Sequence, residues 1–418
     1  MFSSRLTLLA IVVFSGQADA TPQAYGQNIN LPEVNTQHPT AEKQLIRDEN
    51  RLSTSGYIML DRDYYGAFYD KESQVNQDTY RHKDEIRRAK VGLKYQLSDM
   101  LSSELQVKYT RSFPDKGEIS LADAMMKLSF GNKRLQFGKM KQTLGLEQQT
   151  GSSKLISIER SLGNIFTPGR SYGVQLSHKS KSLRWALGYY VNRDMAQDGS
   201  DAFSLYHFNL FTQSEKDIES YALHTNYNWF ASKNTLLHLG ASMSHHDLSG
   251  NLFQIKSSGE VHSADKIIRS ARFYALSNRL NQIELLYLNK QFLLQAEAMH
   301  NQVKDIDDSN WNYYSAYLQA SFRFDRNYQY KFGKLKSKRY KRNKSALYGL
   351  ELVLRQSYLD VRDRNIGSEA SISQLGINIY PAKNFKFMVD IQQPWIAGNT
   401  VNTNQSGLAF TLRGQYSF

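Results

Sequence analysis

Thr411-Leu-Arg-Gly-Gln-Tyr-Ser-Phe418 is the stretch whose reading decides the fold. With the residues just before it, Leu408, Phe410, Leu412, Tyr416 and Phe418 share one face of a strand. Thr411, Arg413 and Gln415 take the other, because successive side chains point to opposite faces. One surface is greasy and the other polar. In a soluble protein the greasy face meets a core. In a transmembrane barrel it meets lipid, and the polar face lines a watery lumen. The rest of the chain decides between the two.

Residues 1–20 read as a secretory signal peptide. Arg5 supplies the positive start, residues 6–14 a short apolar run, and Ala18-Asp-Ala20 a small-residue cleavage pattern. The run is too short to cross a bilayer as a helix, and no other segment comes near the required length. Membrane insertion would therefore need a closed barrel, in which backbone groups pair between strands. Composition agrees: 26 Tyr and 21 Phe stand against 7 Pro, and mean hydropathy is −0.56. A barrel needs apolar residues on only one face of each strand, with aromatics at the two interfaces. The chain has no cysteine, which excludes a disulfide framework, a thiol catalyst and a thiolate metal site. Residues 21–54, with Pro22, Pro32 and Pro39, read as a periplasmic N-terminal tail carrying a short helix at 41–51. Residues 55–418 show no linker and read as one barrel domain.

Strand periodicity recurs throughout that domain. Ala89, Val91, Leu93, Tyr95 and Leu97 alternate with Arg88, Lys90, Gly92, Lys94 and Gln96. Leu183, Trp185, Leu187, Tyr189 and Val191 behave likewise, as do Phe385, Phe387, Val389 and Ile391. Strands are expected to begin near residues 55, 81, 102, 119, 133, 171, 182, 219, 235, 280, 291, 311, 345, 371, 383 and 406. That makes an all-β, sixteen-stranded antiparallel transmembrane β-barrel with inward-folded loops. Tight connections alternate with long ones at 70–80, 142–170, 194–218, 248–279, 360–370 and 394–405, the rhythm of periplasmic turns and extracellular loops. The exception is 324–344, which is long where a short turn belongs.

Formal net charge is +13. If the apolar face of each strand meets lipid, parity places Arg88, Lys90, Lys94, Lys108, Lys127, Arg134, Lys179, Arg184, Arg323, Arg355, Lys386 and Arg413 in the lumen. Fewer acids share that parity: Glu104, Asp123, Glu297, Glu351 and Asp390. A basic lumen walled by low-dielectric material concentrates anions, and Arg and Lys rings are what anion pores use. Arg88, Lys90, Lys94, Lys108, Lys127 and Arg184 are the expected ladder. The alternatives are solvated bases with no selective role, or bases that offset lipopolysaccharide at the rim. In 324–344, Lys331, Lys334, Lys336, Lys338, Arg339 and Lys341 stand among Tyr and Phe. This is either a solvated periplasmic turn or one tucked into the lumen. A nucleic-acid patch is the weaker reading in an exported barrel.

The chain resembles the phosphate-selective porins, the family of porins O and P. The residues that carry the likeness are Arg87-Arg-Ala-Lys-Val-Gly-Leu93, Leu135-Gln-Phe-Gly-Lys-Met-Lys141 with Gly145-Leu-Glu147 and Ser152-Ser153, and Glu159-Arg160. Phe166-Thr-Pro-Gly-Arg-Ser-Tyr-Gly173, Gly376-Ile-Asn-Ile-Tyr-Pro381 and the closing Leu412–Phe418 segment complete it. The resemblance implies a homotrimer in the outer membrane, an inward third loop at 142–170, and a path for phosphate or related small anions through the lipid bilayer. Lys139, Lys141, Arg160 and Arg170 would hold the constriction. Thr143-Leu144 stands where the family often has Pro-Phe, and Lys90 and Lys94 where it often has Arg. Arg offers a planar fork to phosphate and Lys a mobile point charge, which loosens phosphate preference more than anion preference.

No cofactor or metal is implied. Rival functions are a general, sugar or cation porin, an outer-membrane barrel enzyme, and a plugged structural barrel. Catalysis would need a tight constellation, and His245-His246-Asp247 is the sole close group of histidines, split between the two faces of a strand.

Overall fold

The computed structural model describes residues 51–69, 80–112, 117–192, 218–232, 234–325, 327–330, 335–336, 349–382, 384–398 and 405–418. Sixteen long strands form one closed antiparallel sheet. They are β1 Leu52–Gly66, β2 Tyr80–Gln96, β3 Leu101–Ser112, β4 Glu118–Phe130, β5 Lys133–Lys141, β6 Arg170–Lys179, β7 Leu183–Asn192 and β8 Ile218–Ser232. The second half comprises β9 Thr235–Phe253, β10 Phe273–Asn289, β11 Phe292–Asp305, β12 Asn310–Arg323, β13 Leu350–Asp360, β14 Ser368–Ala382, β15 Phe385–Gly398 and β16 Ala409–Ser417. Each strand pairs with the next, and β16 returns to β1, with Tyr57 opposite Ser417 and Tyr65 opposite Ala409.

These starts lie within three residues of those read from alternation, with two exceptions. β10 begins at Phe273 rather than near 280, because a register shift between Ala275 and Ser277 breaks the period there. β13 begins at Leu350 rather than near 345, and 345–348 lie outside the described residues. β1 begins at Leu52, inside the segment read as tail. The signal peptide and most of the 21–54 tail also lie outside the described residues.

The wall is inside-out relative to a soluble core. Val91, Leu187 and Phe387 are 53, 53 and 50% exposed, while the inward Asp61, Glu297 and Arg413 are buried. Aromatic residues flank the apolar outer belt. At the short-turn end Phe385 lies 4.8 Å from Tyr416, and at the long-loop end Tyr189 lies 5.1 Å from Tyr221. A charge in mid-belt has no water to reach, so Leu187→Arg should destabilise the barrel by about 2–4 kcal/mol. Urea unfolding in lipid vesicles would read the loss, and an unchanged midpoint would show that this face does not meet lipid.

Besides the shift on β10, bulges on β2 and β4 adjust the parity. Met59 pairs with Arg88 and Leu60 with Ile86, leaving Arg87 as the extra residue of β2. A bulge re-aims the side chain it carries. Simple alternation would send Arg87 to lipid beside Ala89, yet it points inward and is buried. Ala122 is the extra residue on β4.

Two segments fold back into the barrel. Residues 142–169, between β5 and β6, lie where the inward loop was expected. Residues 254–272, between β9 and β10, were expected only as part of a long external loop. Leu144, Leu162 and Phe166 from the first join Ile255, Val261 and Ile268 from the second in one apolar cluster with the inward Leu280, Met299 and Ile396. Burying these apolar side chains against the wall gives two irregular segments a reason to stay inside.

Candidate functional site: a cationic lane beside two inserted loops

The first loop leaves β5 through Gly145, whose φ of 54° favours glycine and where a Cβ would collide with the Gln282 amide. A short helix, Leu146–Gln149, follows. The loop then crosses to the opposite wall and is tied there strand by strand. The Glu147 amide donates to Glu297 at 2.6 Å, and the Ile158 amide to Asp390 at 2.9 Å. Asn378 donates to the Ile156 carbonyl at 2.7 Å and Lys386 to the Leu155 carbonyl at 2.5 Å. Glu159 ends the crossing in a bidentate pair with Arg87, both bonds 2.8 Å, and a third contact with Arg413 at 2.6 Å. Burial alone would raise the Glu159 carboxyl, but Arg87 and Arg413 hold it well below the usual carboxylate range.

The second loop is fastened to the first and to the wall. Glu260 accepts the Leu162 amide at 2.8 Å and faces Arg355 at 3.4 Å. His262 meets Glu85 at 2.7 Å, and Ser263 donates to Asp63. Burial pushes the Glu260 carboxyl up to about 7 against the pull of Arg355. A carboxyl raised in the folded state favours folding fully below about 4.5, and that gain is lost as pH rises through about 7. The stability of the wild type relative to Glu260→Gln should therefore increase as pH falls from 7 to 4.5. Thermal midpoints in detergent would read it, and a difference independent of pH would remove Glu260 from the loop's balance.

This stitching revises the reading of the lumen charges. Arg323, Arg355, Lys386 and Arg413 do point inward, but they are buried and hold loop carbonyls and carboxylates. The acids are also more numerous than parity within the clearest strands suggested. Asp61, Asp63, Glu85 and Glu284 come from the wall, and Glu147, Glu159 and Glu260 from the loops. Lys127 is paired with Glu104. Several inward bases are therefore matched: Lys127, Arg323, Arg355 and Arg413 each face a carboxylate.

The exception is one side of the lumen. A cavity is left against β2, β3 and the inner ends of β5 and β6, lined by Arg87, Arg88, Lys90, Lys108, Lys141, Arg160 and Arg170 and by only two carboxylates, Glu159 and Glu260. Lys90 and Arg170 share Asp123, at 3.5 and 2.6 Å. Three bases are held by neutral oxygens instead. Arg88 donates to the Ser152 hydroxyl, Lys141 to the Gln148 carbonyl at 2.7 Å, and Arg160 to the carbonyls of Thr150 at 2.8 Å and Glu147 at 3.3 Å. These contacts fix the side chains through neutral acceptors.

Other expected positions fall elsewhere. Lys139 is a correction: its register partners are Ala124 and Tyr172, and it stands 5.7 Å over the outward Tyr172 ring, on the lipid side of β5. Lys94 lies on β2 near the short-turn end and does not line the cavity. Arg184 lies across the barrel on β7. Of the basic turn, Lys331, Lys334, Lys338, Arg339 and Lys341 lie outside the described residues, and Lys336 sits on a two-residue strand paired with Gln329–Tyr330. The start of that turn does reach inward: Tyr328 is buried against Ser321 and Glu351, and Tyr330 lies 2.9 Å from His238. His245 faces out and His246 in, as parity required. His224 and His238, far apart in sequence, meet on one oxygen of Glu284 at 2.8 and 2.9 Å. Among the described residues no group of three or more His, Cys, Asp or Glu is placed to hold a metal ion.

Comparison with solved structures places the barrel among porins. It superposes on OmpT of Vibrio cholerae, in its trimer form, with a TM-score of 0.54 at 10% identity, covering 88% of this chain and 99% of that one. An anion-selective porin from Comamonas acidovorans gives 0.51 at 11% identity, with 88% and 99% covered. OmpF of Salmonella typhi in complex with daunomycin gives 0.51 at 12%, with 89% and 99% covered. Identities this low establish the fold alone. No curated protein matches the chain. The model of the family described as phosphate-selective porin O and P matches residues 61–418, and the chain therefore belongs to that family as a porin of the outer membrane.

Proposed function

We propose that the chain is an anion-selective diffusion channel for phosphate or related small anions. The observation that supports this reading most is the one-sided cavity, where seven bases stand against two carboxylates and Arg88, Lys141 and Arg160 are held by neutral oxygens. An anion entering from the long-loop side meets donors already oriented and surrounded by polar groups. Several modest sites in succession attract an ion and still release it, as conduction requires. Lys90, Lys108 and Arg170 extend the attraction along the same wall. The family's description and the anion-selective porin of similar fold support the choice of sign.

Reversal potentials of the purified protein in a planar bilayer, under a KCl gradient, test the reading. Anions should carry most of the current, and the excess should shrink as salt rises, because screening acts over roughly 10 Å at 0.1 M. Cation preference would sink it. A homotrimer is proposed on the family's account, with lipid and lipopolysaccharide around it. Cross-linking in detergent should give a three-subunit species, and a monomer alone would count against it.

A further inference from the structure

The lining of the cavity includes an imidazole, His262, carried by the second inserted loop. Its neighbours along the chain hold it there. Glu260 accepts the Leu162 amide, and Val261 is buried in the apolar cluster. The Ser263 hydroxyl donates to Asp63, while the Ser263 carbonyl accepts Lys83 at 3.2 Å. With the residues on both sides committed to the wall and the first loop, the ring is delivered to one place.

The ring is oriented as well as placed. Its Nδ1 lies 2.7 and 3.0 Å from the two oxygens of Glu85 on β2. A carboxylate only accepts, so the proton on this side belongs to Nδ1 in either charge state, a tautomer assigned from that contact. The proton that comes and goes is therefore the one on Nε2. Gaining it turns a neutral member of the lining into a cation, whichever group Nε2 meets. Imidazole is the side chain that ordinarily changes charge between about pH 5 and 8.

The charged groups around the ring come from four elements. They are Lys83, Glu85 and Arg87 on β2, Asp63 on β1, Glu159 and Arg160 on the first loop, and Glu260 on its own loop. Burial pushes the Glu260 carboxyl up to about 7, so it changes charge in the same range. The two changes share one sign. As pH falls, the cavity loses a carboxylate and gains a cation.

We propose that His262 is a specificity-determining residue of the channel, and that its imidazolium strengthens anion preference as the solution becomes more acidic. The inference rests on the anion-selective reading above and adds a regulator to the same cavity.

Reversal potentials under a KCl gradient at about pH 8 and about pH 5 test it, because chloride keeps its own charge over that range. The Glu260→Gln chain, in which the neighbouring carboxyl no longer titrates, should raise its chloride-to-potassium permeability ratio about two- to fivefold on acidification. That is the effect of one charge at contact distance in water, partly screened by salt. Adding His262→Gln should remove most of the rise. Glutamine still offers Glu85 an N–H, so the loop should keep its place. His262→Arg in the same background should hold the acid-side ratio at both pH values, which a merely structural role for the ring would not produce. A rise undiminished by His262→Gln, or an arginine variant that still follows pH, overturns the inference. So does a Glu260→Gln chain whose ratio is the same at both pH values. Should the doubly substituted chains fail to fold, His262→Gln alone must lower the wild-type rise by the same factor. Anion preference indifferent to His262 sinks this inference alone, whereas cation preference at both pH values sinks the anion-selective reading and the inference with it.

Discussion

Replacing Arg355 by Met is expected to widen the channel and blunt its selectivity more than any other single change. The guanidinium is 1% exposed and ties both inserted loops to the wall at once. It donates to Gln319 at 2.6 and 2.9 Å, to the Glu159 carbonyl at 2.9 Å, to Glu147 at 3.1 Å and to Glu260 at 3.4 Å. Met fills similar volume and restores none of these bonds. Removing one partner of a buried ion pair leaves a buried carboxylate uncompensated, a penalty of about 3–5 kcal/mol. The sheet's own ladder is untouched, so the strain should be relieved by loops 142–169 and 254–272 loosening while the barrel stays closed. Single-channel conductance should rise several-fold with far-ultraviolet circular dichroism unchanged. Arg355→Lys should recover part of the loss, since an ammonium can meet one carboxylate but not four acceptors in a plane. Wild-type conductance in Arg355→Met would show that the loops are held by their apolar contacts alone.

The second large effect is expected from Arg88→Gln, Lys141→Gln and Arg160→Gln combined. Glutamine keeps a donor for each neutral oxygen, so the local geometry should survive while three charges leave the cavity. Each unmatched charge within about 4 Å of a passing ion is worth about 1 kcal/mol even at the dielectric of water. Together they should take the anion-to-cation permeability ratio most of the way to unity, with conductance falling less. The contrasting set Lys90→Gln and Lys127→Gln removes bases already matched by Asp123 and Glu104 and should shift the ratio far less. If the two sets act alike, the distinction between matched and unmatched bases has no bearing on permeation.

The sidedness of the wall was legible because one period governs every strand. Leu187 and Phe410 could be sent outward and Arg88 inward with no knowledge of the loops. Parity assigns a direction, however, and not a partner. Arg355 and Arg413 share the inward parity of Lys90, and nothing in their own strands tells that they serve Glu147, Glu159 and Glu260. Those acids lie in segments with irregular backbone, where no periodicity exists to read. Arg87 was hidden by a bulge, which shifts parity by one residue and leaves no mark in the hydrophobic pattern. Lys139 was legible and misplaced: it shares the face of Phe137, and assignment to the loop by position overrode that signal. The inward course of 254–272 could have been suspected from Ile255, Val261, Ile267 and Ile268, which are costly to leave in water on an external loop.

Arg413 lies on β16, the strand that closes the sheet onto β1. Its guanidinium grips Asp61 of β1 at 2.5 and 2.7 Å, Glu159 at 2.6 Å, and the Ile158 carbonyl. These partners are 352 and 254 residues away along the chain, and contacts of such separation carry a large loop-closure cost. The seam of the wall and the inner loop thus share one guanidinium. A chain cut before Ala409 loses its closing strand and, with it, one of the donors that hold the inner loop across the lumen. One side chain thus couples the two: whatever opens the seam between β16 and β1 also releases part of the constriction.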